Sequence, residues 1–281
     1  MKVTAEMVKQ LRERTGVSMG KCKEALDQAG GDMETAIDLL RKAGIASAVK
    51  KEGREANEGL IGVGESDKAI AVIEVNSETD FVAKNEKFKE FIKEICAEAS
   101  QMKVSSVEEL LAQKYSKDSS ITIDQHRALT MQGLGENIQV KRMLILPKKE
   151  DLSIGFYSHM GGKIITAVVL KGGSGHELVA REIAMHIAAE SPDYLQPSEV
   201  PADVKAREED IAKAQVQGKP ANMIDKIVEG KLKAFYDQTC LLCQKFVKDN
   251  SLTVSEVVQA EAKKSGKPLA IKSFIRWKVG G

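Results

Sequence analysis

One order of predicted elements, a hairpin followed by two helices and a strand, occurs twice in this chain and constrains its fold more than any other feature. The first hairpin consists of LIGV and AIAVIEV, and IQVKRMLIL closes that half. The second hairpin lies in SIGFYSHMGGKIITAVVL, and IKSFIRWKV closes the other half. Strands joined by short turns pair antiparallel. We therefore predict an α+β fold with a duplicated, two-lobed core of antiparallel sheets.

Apolar residues at helical spacing follow each hairpin. In the first half one stripe contains Phe88, Phe91, Ile92, Ile95, Cys96 and Ala99. HELVAREIAMHIAA has the same character in the second half. A later helix is expected to start at Ser105 or Ser106, where Glu108 or Glu109 three residues on suits a capping box. Another is expected from about Asp124, and a further capped helix in TVSEVVQAEAKKSG.

The first 46 residues predict a separate module of three short helices. Their apolar positions recur at spacings of three and four between residues 4 and 43, with Asp32 as an N-cap and Gly44 as the final break. Residues 47–57 are charged and lack apolar periodicity, which predicts a linker. The first lobe would then span 58–148, and the second lobe 149–190 and 231–281.

Residues 191–230 predict an insertion in the second lobe. Three prolines stiffen its entry, and helical segments at Val204–Val216 and Met223–Val228 flank the breaker Gly218–Pro220. Two helices joined by a tight turn form an inserted helical hairpin.

Composition excludes several classes of protein. The net charge is +1 with 30% charged residues, so the basic excess that drives binding to phosphate backbones is absent, and we expect no direct nucleic-acid partner. No apolar stretch approaches the roughly 18 residues of a membrane helix, and the start lacks a secretory signal. We expect a cytoplasmic protein without a membrane partner.

Motifs for covalent chemistry are incomplete. GVSMGKC at residues 16–22 has three residues between its glycines, where a phosphate-binding loop has four. His176-Glu177 lacks a second histidine four residues later. Cys240 and Cys243 form C-x-x-C, which suits either buried thiols or a redox or metal site. We expect no cofactor and no catalytic residues.

The stretch EVNSETDFVAKN places an aspartate and a phenylalanine where an apolar strand passes into a helix. Phe81 lies seven residues before Phe88, so it could begin the core stripe of that helix. Lys84 and Asn85 interrupt that face, which favours exposure instead. Spacing leaves both interpretations open. His159, at the tip of the second hairpin, is likewise either an incidental turn residue or a side chain exposed for a partner.

LRERTGVSMGKCKEAL and EVNSETDFVAK resemble the two signatures of the bacterial elongation factor Ts family, the guanine-nucleotide exchange factors of the translation GTPase elongation factor Tu (EF-Tu). Weaker likenesses lie in GLGENIQVKR, IAMHIAAESPDYLQP and SFIRWKV. The resemblance implies a ubiquitin-associated (UBA)-like first module and an inserted hairpin used for dimerisation. The partner would be EF-Tu. The resemblance is compatible with a homodimer of this chain or with a two-plus-two complex with EF-Tu.

The resemblance also implies site residues. In the family the Asp-Phe pair enters the GTPase near the Mg²⁺ of its nucleotide, which assigns that task to Asp80 and Phe81 with their neighbours Thr79 and Val82. The other implied contacts are Lys23, Leu134, Gly135, His159, Val247 and Lys248. The chain departs from related sequences in stopping at Gly281, without a further helical segment, and in a longer stretch at 103–130.

Two other functions stay open at this point. The first is a protein-binding adaptor that uses the three-helix module and the core as docking surfaces. The second is a redox or metal enzyme built on Cys240 and Cys243.

Overall fold

The protein is described by a computed structural model that covers residues 2–216 and 221–281, with only the backbone of residues 221 and 222. The chain forms two compact units. The first contains the residues up to Lys148 together with Met160–Lys163 and Lys278–Gly281. The second contains Lys149–His159 and Ile164–Trp277.

Helices and antiparallel sheets make up both units, which confirms the predicted α+β class. The helices are α1 (Ala5–Thr15), α2 (Met19–Gln28), α3 (Met33–Lys51), α4 (Asp80–Ala83), α5 (Glu86–Gln101), α6 (Val107–Ala112), α7 (Ile123–Leu134), α8 (Glu177–Glu190), α9 (Ala202–Ala214), α10 (Ala221–Thr239) and α11 (Val254–Ser265). The strands are β1 (Glu58–Glu65), β2 (Ala69–Ser77), β3 (Lys114–Tyr115), β4 (Asp118–Thr122), β5 (Ile138–Pro147), β6 (Leu152–His159), β7 (Ile164–Lys171), β8 (Lys245–Phe246), β9 (Asp249–Thr253) and β10 (Ala270–Lys278). Over the described residues, none of these helices is both long and apolar enough to cross a bilayer.

The first unit is built on a sheet of order β1-β2-β5, and both strand pairs are antiparallel. Every residue of the central strand β2 is buried, as its nearly continuous apolar sequence predicts. Helix α5 packs its apolar stripe on this sheet, and Phe88, Phe91 and Ile95 are at most 1% exposed. The core of the first lobe therefore lies between α5 and the sheet.

The three N-terminal helices enclose a small core of their own, which includes Leu11, Leu26 and Leu40. Asp32 caps α3 by accepting a hydrogen bond from the Thr35 amide at 2.8 Å, as predicted. The predicted break at Gly44 is wrong, because α3 continues to Lys51. A Cβ on Gly44 would lie 3.1 Å from Gln132 Oε1 of α7, so the glycine permits a close helix contact there.

The continuation of α3 corrects the predicted linker as well. Residues 47–51 are helical, and Ala48 is buried in the core that also contains Phe88. A short alanine can pack without the apolar periodicity that a longer amphipathic stripe would show. Only residues 52–57 connect α3 to β1.

The long stretch at 103–130 contains α6 and the start of α7, and between them the two-stranded hairpin β3-β4, which was not predicted. Asp118 of this hairpin forms an ion pair with Arg41 of α3 at 2.7 Å. The stretch thus contributes to the attachment of the three-helix module within the first unit.

The second unit has a sheet of order β10-β7-β6, with β6 and β7 antiparallel. Helix α8 covers the sheet with fully buried Ile183, Ala184 and Ile187. A small antiparallel hairpin, β8-β9, precedes α11, which is capped as predicted, through a capping box between Thr253 and Glu256.

The first inserted helix has the predicted length of 13 residues but begins two residues earlier, and the second is longer than the sequence predicted. Helix α9 begins at Ala202, and α10 runs to Thr239, so the expected end at Val228 is wrong. Gly230 lies inside α10 with no atom within 4 Å of a Cβ placed there, and a single interior glycine weakens a helix without ending it. The predicted breaker Gly218–Pro220 lies outside the described residues.

Candidate protein-binding site

The Asp-Phe pair lies on α4, a helix of only one turn that connects β2 with α5. Thr79 caps it, because its hydroxyl accepts a hydrogen bond from the Val82 amide at 3.4 Å. Asn85 then caps α5 by accepting from the Lys87 amide at 2.9 Å. Two caps in close succession separate α4 from α5.

Phe81 points away from the core and is 80% exposed, whereas Val82 and Ala83 beside it are 8% and 2% exposed. The short helix is therefore held by two small apolar side chains and presents its one large ring to solvent. The core stripe of α5 therefore begins at Phe88 and does not include Phe81. An exposed phenylalanine in a connection that a rigid scaffold positions is a candidate contact for a partner.

A turn after α7 fixes the base of α4. Glu136 accepts two hydrogen bonds from Thr79, one from the backbone amide at 3.0 Å and one from the hydroxyl at 2.5 Å. Glu78 accepts a hydrogen bond from the Asn137 amide at 2.6 Å. Bonds to carboxylates are stronger than neutral ones, so the segment before Asp80 is firmly anchored.

Leu134 is the last residue of α7, and Gly135 begins this turn. Leu134 is half-buried against the core of the first unit, and Gly135 is exposed and ends α7 with a φ of 86°. The left-handed conformation is easily reached by glycine, and its amide bonds to the Met131 carbonyl at 2.8 Å. The structure therefore brings Leu134 and Gly135 close to the Asp80 segment through the neighbouring Glu136.

Asp80 is partly exposed and forms an ion pair with Lys84, one helical turn later, at 2.6 Å. The hydrogen bond from Lys84 and the positive charge of Lys163 lower the pKa of Asp80 below its usual value. The carboxylate is therefore ionised at neutral pH and lies one residue from an exposed ring. An anion and an apolar side chain on one rigid turn can disturb a cation site and a packed surface at the same time.

Lys23 lies on the solvent side of α2 in the same unit, and its neighbour Cys22 is buried in the module core. Among the described residues, no hydrogen bond or ion pair joins Lys23 to α4. Its place at this site rests on the family resemblance alone.

The second unit holds the remaining predicted residues. His159 ends β6 and is exposed, with its ring 6.0 Å from that of Tyr157. Val247 is 40% exposed in the tight turn between β8 and β9. Lys248 is exposed and pairs with Glu182 of α8 at 2.5 Å.

A buried histidine supports the β8-β9 turn. The Val247 amide donates to Nδ1 of His186 at 3.2 Å, so Nε2 carries the proton and donates to Oε1 of Gln244 at 2.9 Å. Burial lowers the pKa of His186, although the bond to Gln244 opposes this effect. The neutral histidine therefore fixes the backbone beside Val247.

The cysteine pair has little of the character of a reactive site. Cys240 is buried and Cys243 half-buried in the short 3-10 turn after α10, and burial raises the pKa of both thiols. A raised pKa disfavours the thiolate that redox and metal chemistry requires. Across residues 2–216 and 221–281, no cluster of three or more His, Cys, Asp or Glu side chains could hold a metal ion.

Glu78, Glu136 and Asn137 are site residues that sequence reasoning missed. Glu136 contacts the cap Thr79 across 57 positions in sequence, and Asn137 contacts Glu78, the residue before that cap, across 59 positions. The sequence GLGEN predicted a turn, but it did not show that this turn contacts the end of β2.

Comparisons with known proteins all indicate one family over nearly the whole chain. A family model described as Elongation factor TS matches residues 78–281. A protein named Elongation factor Ts from Protochlamydia amoebophila is 58% identical over 278 residues, which are 99% of both chains. Proteins of the same name from Chlamydia caviae and Chlamydia muridarum are 46% and 44% identical over 275 residues, which are 98% of each chain.

Proposed function

The chain belongs to the elongation factor Ts family of translation elongation factors, and from this premise we propose that it binds EF-Tu and accelerates the release of GDP. The partner holds GDP through Mg²⁺ and through amide contacts to the phosphates. Asp80 and Phe81 enter the partner near the Mg²⁺ and displace the elements that support it. No covalent step is needed.

The observation that carries this proposal is the exposure of Phe81 on an anchored support. The ring is 80% exposed, yet Thr79, two residues earlier, makes two hydrogen bonds to Glu136. A rigid support lets the ring act on the partner without first losing much conformational freedom. Core packing of the first unit does not require this ring, so its place in a connection calls for an external role.

Energetics limit what Phe81 can achieve alone. Burying one phenylalanine is worth about 1.5–3 kcal/mol, and each tenfold weakening of nucleotide binding takes about 1.4 kcal/mol. Phe81 can therefore account for at most roughly a hundredfold effect. A larger effect requires a wider surface, for which we propose Lys23, Leu134 and Gly135 in the first unit, and His159, Val247 and Lys248 in the second.

Stopped-flow release of a fluorescent GDP from purified EF-Tu tests the exchange function. We expect a large acceleration by the wild-type protein, a loss of about ten- to a hundredfold in Phe81→Ala, and a clear loss in Asp80→Ala. Val49→Ala is the matched control, because Val49 is also a strongly exposed apolar residue, 64% exposed on α3. Release that is no faster with the wild-type protein would exclude the exchange function.

The same assay separates the redox or metal function. A Cys240→Ala, Cys243→Ala double variant should retain full exchange activity, because neither thiol lies in the proposed contact surface. Loss of exchange with an unchanged unfolding midpoint would show that the cysteine pair has a functional role.

We also propose that the two lobes arose by duplication. In both units a two-stranded hairpin precedes a helix of 12 residues that begins with a capping box, Thr122 with Gln125 and Thr253 with Glu256. The closing hydrogen bond of each hairpin is the same, from Ile123 to the Gln113 carbonyl and from Val254 to the Gln244 carbonyl. The UBA-like character of the three-helix module, dimerisation through α9 and α10, and a cytoplasmic location belong to the same proposal.

An adaptor function has one observation in its favour. Ile45 and Val49 of α3 are 40% and 64% exposed. Loss of binding to another polypeptide in Val49→Ala, with exchange unchanged, would establish an adaptor role beside exchange.

A further inference from the structure

Met160 combines two unusual properties. Its side chain is 69% exposed, and its φ is +50°, a left-handed conformation that residues with a side chain rarely adopt. Among the described residues, Ser191 is the only other residue besides glycine that has a positive φ. Gly161 and Gly162, which follow Met160 in the turn, also have positive φ, as their residue type allows. A glycine would therefore suit position 160 better for the fold alone.

The turn Met160–Gly162 is held firmly to the first unit. The Val279 amide donates to the Lys163 carbonyl at 3.0 Å, and Lys163 Nζ pairs with Glu58 at 2.5 Å. A Cβ on Gly162 would lie 3.0 Å from the Ile61 carbonyl, so the turn lies directly on β1. Met160 is thus exposed because a fixed turn presents it, and not because its segment is loose.

The turn lies beside α4. Both elements contact β1. The charge of Lys163, next to the turn, contributes to the lowered pKa of Asp80, and that of Glu58 contributes to the raised pKa of Lys84. Two strongly exposed apolar side chains, Phe81 and Met160, therefore project from neighbouring supports on one strand of the first unit.

We propose that Met160 is a further apolar contact to the partner GTPase, beside Phe81 in the first unit. The inference rests on the exchange function proposed above. The unbranched thioether adapts to an irregular apolar surface, so it can fill space beside the stiffer ring. Backbone strain retained at an exposed position is expected where a side chain has a role outside the fold.

Three variants test the role of Met160 in the nucleotide-release assay at subsaturating concentrations. Met160→Gly removes the side chain and permits the positive φ, so the unfolding temperature should stay equal or rise slightly. Exchange should nevertheless fall about three- to tenfold. Met160→Leu keeps an apolar side chain and should retain most of the activity. Leu178→Ala is the control, since Leu178 is 70% exposed in the second unit, outside the proposed contacts.

Each outcome bears on a different statement. Wild-type exchange in Met160→Gly would overturn the Met160 contact and leave the exchange function intact. An equal loss in Leu178→Ala would overturn it too, because exposed apolar residues would then matter without regard to place. Absence of acceleration by the wild-type protein would remove both proposals, whereas a loss confined to Met160→Gly, with an unfolding temperature that is not lowered, supports the contact.

Discussion

The connection between β2 and α5 in the first unit and that between β7 and α8 in the second unit occupy equivalent places in the chain order, yet they are built in opposite ways. The first, from Glu78 to Asn85, inserts the extra turn α4 and carries an exposed ring and a charge pair. The second, from Gly172 to His176, has three glycines with positive φ. One connection presents a large apolar side chain and a charge pair, and the other consists mainly of glycine.

Each connection meets the turn that ends the capped helix of its own unit. In the first unit that turn supplies Glu136, whose carboxylate holds Thr79. In the second unit the corresponding turn brings its backbone so close that a Cβ on Gly172 would lie 2.0 Å from the Pro268 carbonyl. The second connection thus needs glycine to close the fold. The difference teaches that the Asp-Phe pair is no requirement of this topology, which points to a role outside it.

The largest expected effect is that of Gly172→Ala. A Cβ at this position would overlap the Pro268 carbonyl, and the φ of 118° is unfavourable for alanine. We expect a loss of at least about 3 kcal/mol in the free energy of unfolding, measured by chemical denaturation.

Gly230→Ala is its control. Gly230 lies inside α10 with open space around a Cβ, so alanine should stabilise the helix by about 0.5–1 kcal/mol. If Gly172→Ala were as stable as the wild type, the close backbone approach in the second unit would be incorrect, and the comparison with α4 would lose its basis.

A smaller effect is expected for Glu136→Ala. The two hydrogen bonds to Thr79 are lost from a partly buried site, and we expect a loss of about 1–2 kcal/mol in the free energy of unfolding. Nucleotide exchange should fall as well, because α4 loses its support.

The control for that variant is Glu86→Ala. The Glu86 side chain is 87% exposed and forms an ion pair with Lys89, and such pairs contribute little. Its stability should change by less than about 0.5 kcal/mol. An exchange rate that is unchanged in Glu136→Ala would show that the anchor matters to the fold only.

The smallest expected effect is a difference between the two units in how their stability depends on pH. Burial lowers the pKa of His186 in the second unit below its usual 6.5, so the unfolded state takes up a proton first and stability is lost as pH falls below 6.5. In the first unit burial raises the pKa of Glu94, but hydrogen bonds from His126, Lys117 and Tyr115 outweigh it and lower the pKa to about 2. The stabilisation from Glu94 is therefore complete above about pH 4.5 and is lost between 4.5 and 2.

Amide hydrogen exchange between pH 6.5 and 5 checks this difference, after correction for the intrinsic rates. Protection should decrease more in α8 and the β8-β9 turn than in α5. His186→Gln should remove most of the pH dependence in the second unit. Equal loss in both units in the wild type would contradict the assignment.

Much of the fold could be predicted from local pattern. The continuous apolar run of β2, the stripe of α5 and the capped start of α11 each depend on a short stretch of sequence, and all three were found where predicted. Strong periodicity reports burial directly, because the residues that repeat are those that contact the core.

Other features depend on residues far apart and were missed. Gly44 reads as a helix end, but it lies inside α3 because α7 packs against it. The strand β3 has two residues, too few for a period-two pattern to be recognised. The exposure of Phe81 was left open, since Thr79 and Glu136 meet only in the folded chain.

The central claim is that Phe81 lowers the affinity of EF-Tu for GDP and does not only contribute to binding of EF-Tu. Linkage requires that the protein weaken GDP binding by the same factor by which GDP weakens binding of the protein. The direct test is therefore the ratio of the Kd values for GDP-bound and nucleotide-free EF-Tu, measured for the wild type and for Phe81→Ala. We predict that this ratio falls at least about tenfold in the variant. An unchanged ratio, with both affinities weakened equally, would contradict the claim.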